Sequence, residues 1–457
     1  MASFDSLPAE LQIRVMSYGD TSTLKSSRLI SWPFNNSASV HLFSSVLIAR
    51  RRKVLDVLYQ ITSDRKYARY VKEIRIDPSF FHPMFRDDKA LYMDYISDPN
   101  PAEQDAHLYP PPLPKDSPFA TLDSMEEPWD LSYDLYRSYL VSQEHMMNEG
   151  ADDRIILSSL RRLPAISRVT LLPFRTQLPA ENFHSGLGAV MLQRHERYYS
   201  NSTGFLRGHD RLKTTIGLFW NVMNAIFVLK KSGIRYLSIG NQGPHHYLAE
   251  NGLDISHLDS HILGGHTLAH IFRDLTVLKL HMPCEIDDTD AVQRMATHFK
   301  NGTLSSILAE ATKLEVFKFC LSYAAGTSSF EQAFKDHTTD KKPPILRRML
   351  GTTTWKNLRD LTFVYLDVHS WDLSEFIGRH SSSLRKLNLS NIELLSGRWY
   401  DMTTEFATQH EIHEMDLVMV YDPDLSPKYD PHDLKEGYWA NYVREKNALE
   451  DIAFTPM

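Results

Sequence analysis

Cysteine is nearly absent. Cys284 and Cys320 are the only two among 457 residues, too few for a disulfide framework, which points to a reducing compartment, cytoplasmic or nuclear. The N-terminus has no charged stretch followed by an apolar one, so no secretory leader is expected. No apolar run reaches the ~20 residues that cross a bilayer. The longest, residues 217–229, contains Asn221 and Asn224 and predicts a buried helix. Excess positive charge is also missing. The net charge is -7, so there is no global basic field for nucleic acid. The signatures of common enzymes are absent: no Gly-x-x-x-x-Gly-Lys, no Gly-x-Gly-x-x-Gly and no Gly-x-Ser-x-Gly. Neither cysteine has a metal-type partner two to four residues away. No catalytic residue, cofactor or metal is therefore expected.

What is present suits a folded protein of more than one unit: 42% hydrophobic and 23% charged residues. Residues 3–46 predict three short helices. Ser6 reads as a cap before Leu7-Pro8, with Glu10 in the first turn. Leu7, Leu11 and Val15 recur every four residues as one stripe. Leu24, Leu29 and Ile30 mark a second segment; Phe34, Ala38, Leu42 and Phe43 mark a third. So small a unit buries little surface alone, and its apolar stripe is expected to dock on a partner or on the rest of the chain.

This pattern resembles the F-box, a helical motif that binds the Skp adaptor of cullin-type ubiquitin ligases. Leu7, Pro8, Glu10, Leu11, Val15, Leu24, Arg28, Leu29, Ile30, Ser31, Phe34, Ala38, Leu42 and Phe43 carry the resemblance, while Gly19 and Trp32 replace a usual leucine and a usual basic residue. The resemblance implies that Leu7, Pro8, Leu11, Val15, Leu24, Leu29 and Ile30 contact Skp. The run Arg50-Arg51-Arg52-Lys53 that follows reads as a solvated helix start.

One frame, apolar-x-x-apolar-x-apolar, then recurs: Val71/Ile74/Ile76, Ile166/Val169/Leu171, Ile234/Leu237/Ile239, Leu275/Leu278/Leu280, Leu314/Phe317/Phe319, Leu358/Leu361/Phe363, Leu384/Leu387/Leu389 and Ile412/Met415/Leu417. The last two members alternate as a half-buried strand requires, and most copies follow a helix-like segment. The expected fold is α/β: a three-helix F-box followed by an irregular leucine-rich-repeat solenoid of strand–helix units. Spacing is irregular, and only the later copies approach the usual period of ~20–29 residues.

The layout resembles a group of fungal F-box proteins, with the F-box at 1–48, a linking helix and first strand at 49–77, and a proline-rich insert and helix at 78–150. Irregular repeats follow at 151–420 and a C-terminal cap at 421–457. This resemblance implies a non-catalytic substrate receptor that joins a Skp adaptor and cullin core to an unknown protein target. Neither nucleic acid nor membrane is an expected partner. The alternative is a repeat scaffold whose N-terminal helices cap the fold and bind no Skp.

Seven histidines, His245, His246, His257, His261, His266, His270 and His281, fall close together. Gly264-Gly265 separates the two i,i+4 pairs and no acid completes a zincin-like motif, so they read as surface residues of an insert. Residues between the buried strand positions point to the opposite face. They nominate Lys279, Lys318, Thr362, Lys386, Asn388, Glu414 and Asp416 as a target-binding face, with lysines central and acids at the C-terminal end.

Overall fold

The computed structural model describes residues 4–77, 81, 83–92, 127–172, 209–240, 264–283, 289–322, 334, 343–409 and 412–421. Much of the proline-rich insert, the polar segment after residue 322, most of the histidine segment and the chain after 421 lie outside these residues. The chain forms two compact units, residues 1–165 with 172–225, and residues 166–171 with 226–457.

The first unit opens with α1 (Ala9–Met16), α2 (Thr21–Ser27) and α3 (Trp32–Leu42). A parallel strand pair follows, β1 (Ser45–Ile48) with β2 (Glu73–Ile76), bridged by α4 (Arg52–Ser63) and α5 (Arg65–Ala68). α6 (Glu127–Asn148), α7 (Ala151–Arg162) and most of α8 (His209–Val228) complete it. The apolar stretch 217–229 covers the C-terminal half of α8, where Leu218, Phe219, Val222 and Met223 are buried. Part of the expected insert is packed here: Phe81, Phe85 and Tyr92 form a core with Tyr133, Tyr136 and Leu140 of α6. The buried Gln143 amide clasps Phe81, donating to its carbonyl and accepting from its N–H, each at 3.0 Å.

The basic run corrects the sequence reading. Arg50 and Arg51 are buried rather than solvated, and each meets an acid, Asp152 at 3.5 Å and Asp77 at 3.7 Å. Burial lowers the Arg50 pKa against the pull of Asp152 and Asp153. A side chain at Gly217 would meet the Arg50 guanidinium at 3.1 Å, so glycine leaves the room this buried cation needs.

Among its described residues the second unit holds seven strands in sequence order, each parallel to the next: β3 (Arg168–Leu171), β4 (Tyr236–Ile239), β5 (Val277–Pro283), β6 (Val316–Ser322), β7 (Asp360–His369), β8 (Lys386–Ser396) and β9 (Glu414–Tyr421). Among the described residues nothing pairs β9 back onto β3, so the arrangement is open. Between the strands run α9 (Gly264–Phe272), α10 (Thr289–Lys300), α11 (Thr303–Ala309), α12 (Ile345–Leu350), α13 (Ser370–His380) and α14 (Trp399–Gln409). Parallel neighbours need such crossovers.

All eight apolar triplets end on strands, β2 to β9 in order. Seven are buried throughout, and the eighth, on edge strand β9, is half-buried. A hydrogen-bond signature accompanies them. One carbonyl accepts from two consecutive N–H groups at the start of the next strand: Ser44 from Lys72 and Glu73, Thr276 from Glu315 and Val316, Arg359 from Arg385 and Lys386. The same pairing recurs on Ser167, Arg235, Glu315 and Arg385. Each accepting residue directly follows the first member of a triplet. By this rule β1 carries the frame as well, as Phe43/Val46/Ile48, although the spacing of Phe43 alone fits the third helix.

Candidate functional site

The three N-terminal helices close around a small core of Met16, Leu24 and Ala38, flanked by Phe4, Phe34 and Leu42. The Phe4 and Phe34 rings stack at 3.9 Å. Buried Gln12 fixes the entry: its amide donates to the Phe4 and Leu7 carbonyls at 3.2 and 2.9 Å and accepts from the Ser37 hydroxyl. Pro8, not Ser6, is the residue before α1. The Asp20 carboxylate caps α2 by accepting from the Thr23 N–H at 2.7 Å, and that bond lowers its pKa. Arg28 anchors the bundle to α5, donating to the Tyr67 hydroxyl at 3.1 Å and lying over Phe43.

With that core closed, much of the apolar surface remains outside. Leu11 and Val15 are exposed on α1, and Leu29 and Ile30 follow α2, with Leu29 88% exposed. Pro8 is exposed and Leu7 half-buried. Leu24 departs from the expectation: at 7% exposure it holds the bundle together and offers no contact surface. Tyr18 and Trp32 join the exposed set, Trp32 at 74%. Tyr18 was legible as the next member of the Leu11/Val15 stripe, seven residues after Leu11.

On the second unit the seven nominated residues share one sheet face. Register sets Lys279 beside Lys318, Lys318 beside Thr362, Thr362 beside Asn388 and Asn388 beside Asp416. In the adjacent row Asp360 neighbours Lys386, and Lys386 neighbours Glu414. The opposite face carries Leu278, Phe317, Leu361 and Leu387, all buried. Lys386 and Glu414 form an ion pair, and this hydrogen bond raises the lysine pKa. Lys279 lies over the Tyr236 ring at 5.6 Å, where Arg168 also sits at 4.2 Å.

Neither surface holds a reactive constellation. Cys320 lies beside His281 on the sheet, but burial pushes its thiol up to about 12, leaving it un-ionised. His266 and His270 fall on α9; His245, His246, His257 and His261 lie outside the described residues. Among the described residues no three His, Cys, Asp or Glu side chains converge as a metal site, and no helix is long and apolar enough to cross a membrane. No known protein-family model matches the chain, and no curated protein matches it.

Proposed function

We propose that the chain is the substrate-receptor subunit of a Skp–cullin–F-box ubiquitin ligase. Helices α1–α3 act as the F-box and dock the Skp adaptor, which brings the cullin core. The strand–helix units act as irregular leucine-rich repeats, whose polar sheet face holds the target. The observation that carries this reading is the apolar set Leu11, Val15, Tyr18, Leu29, Ile30 and Trp32, exposed on a bundle whose own core is already closed. So many exposed apolar side chains on one small bundle supply the surface that an interaction partner would cover. The recurring carbonyl pairing supports the repeat reading, because each unit repeats the same backbone solution on its neighbour.

The receptor does no bond chemistry. It holds target lysines near a charged conjugating enzyme and raises their effective concentration. The test is co-purification of the full chain with a Skp adaptor and a cullin N-terminal domain. Recovery of a complex supports the receptor role. A folded chain that recovers neither protein leaves the interaction-scaffold reading instead.

A further inference from the structure

The sheet face bears an unusual charge arrangement. Lys279 and Lys318 are direct lateral neighbours on β5 and β6, and like charges so placed repel. Among the described residues no carboxylate pairs with either. Other cations of the same unit do meet acids: Arg273 meets Glu310, Lys313 meets Asp274, Arg359 meets Glu315 and Lys386 meets Glu414. The next position in the row is Thr362, only 8% exposed, whose hydroxyl has no hydrogen-bond partner. A buried hydroxyl without a partner costs stability, and here it lies on the strand next to Lys318. Two positive charges therefore stand side by side without a counter-charge among the described residues. At the other end of the row Asp416 is exposed and takes part in no ion pair among the described residues.

We infer that this face takes one extended, charge-patterned segment of the target protein, laid across the strands, with carboxylate side chains over Lys279 and Lys318 and a basic side chain over Asp416. The spacing follows from the sheet. From β6 to β9 is three strand steps, about 14 Å at ~4.8 Å each, which an extended chain covers in about four residues at ~3.3 Å each. The recognised pattern is two acids followed or preceded, about four residues away, by Lys or Arg. The neutral stretch between them lies over Asn388. This inference rests on the reading of the sheet as the target-binding face, but not on the Skp contact, which is made by α1–α3.

The test pans a display library of random 12-residue segments against the full chain. Selected segments are then measured by fluorescence anisotropy on the wild type, on Lys279→Glu/Lys318→Glu and on Asp416→Arg. The expected result is enrichment of paired acids with a base about four residues away. Binding should weaken at least tenfold on the double variant and when salt rises from 0.15 to 0.5 M, which shortens the Debye length from about 8 Å to about 4 Å. Asp416→Arg should instead prefer segments without the base. The inference is overturned if no segment is selected, if selected segments lack acids, or if they bind wild type and double variant alike. It is also overturned if millimolar inorganic phosphate at fixed ionic strength displaces them fully, since the site would then be one for phosphate. Skp binding and circular dichroism of the double variant, both expected unchanged, separate failure of this inference from misfolding and from failure of the ligase reading.

Discussion

Helix α13 carries two buried titratable groups whose linkages to folding oppose each other. Asp372, in its first turn, accepts from the Leu346 and Arg347 N–H groups and so caps α12. Burial outweighs these bonds and raises its pKa from 3.8 to about 6. Arg347, Glu375 and Arg379 are the charged groups around it. His380, in the last turn, stacks on Trp355 at 5.3 Å and bonds the Phe376 carbonyl through Nδ1, while its Nε2 is buried without a partner. A proton on Nε2 would have no acceptor, and burial lowers the histidine pKa from 6.5 to about 4. The raised carboxyl pKa gives stability that is complete below pH 3.8 and lost as pH rises through about 6. The depressed histidine pKa gives stability that is complete above pH 6.5 and lost as pH falls through about 4. Each change is worth about 3 kcal/mol, and between pH 4 and 6.5 they nearly cancel. Removing one exposes the other. Relative to wild type, Asp372→Asn loses about 3 kcal/mol between pH 6.5 and 4, and His380→Phe gains about 3 kcal/mol over that range. Urea unfolding followed by tryptophan fluorescence at four pH values reads both differences, and subtraction from wild type cancels the background of other carboxylates. If both variants track the wild-type pH dependence in parallel, the assignment of these two groups is refuted.

Other perturbations test the packing. Gly397 and Gly150 both have positive φ, 86° and 59°, but a side chain at Gly397 would collide with the Ser370 side chain, whereas one at Gly150 meets nothing within 4 Å. Gly150→Ala is expected to cost about 1 kcal/mol and Gly397→Ala clearly more, read as unfolding midpoints. Asp152→Asn leaves buried Arg50 without its main counter-charge and should destabilise by about 3 kcal/mol in the same assay. Leu24→Ala, a truncation inside the bundle core, should cost about 2–5 kcal/mol and melt α1–α3.

The strands were legible because a buried position every second residue leaves its mark on sequence, and the frame repeats. β1 was not, because Phe43 also fits the helical spacing of Phe34, Ala38 and Leu42. The burial of Arg50 and Arg51 was hidden for another reason: their acids, Asp152 and Asp77, are remote or unremarkable in sequence. Gln12 is polar yet buried, and its partners are backbone carbonyls, which no pattern of side chains announces. The seven face residues were found because alternation alone puts them opposite the core. The loss of Lys386 to Glu414 needed the register. Leu24 and Leu29 look alike in sequence, and only packing separates the core residue from the exposed one.

That separation supplies the most direct measurement: titration of a purified Skp adaptor into the full chain, beside its Leu29→Ala/Ile30→Ala variant. Both side chains are exposed, so the variant should unfold at the wild-type midpoint. If the adaptor buries them, truncation removes about 3 kcal/mol of apolar contact, roughly a hundredfold in Kd. Binding by the wild type, weakened about a hundredfold in an equally stable variant, is the predicted result. A folded wild type that does not bind, or equal binding by both, would contradict the receptor account.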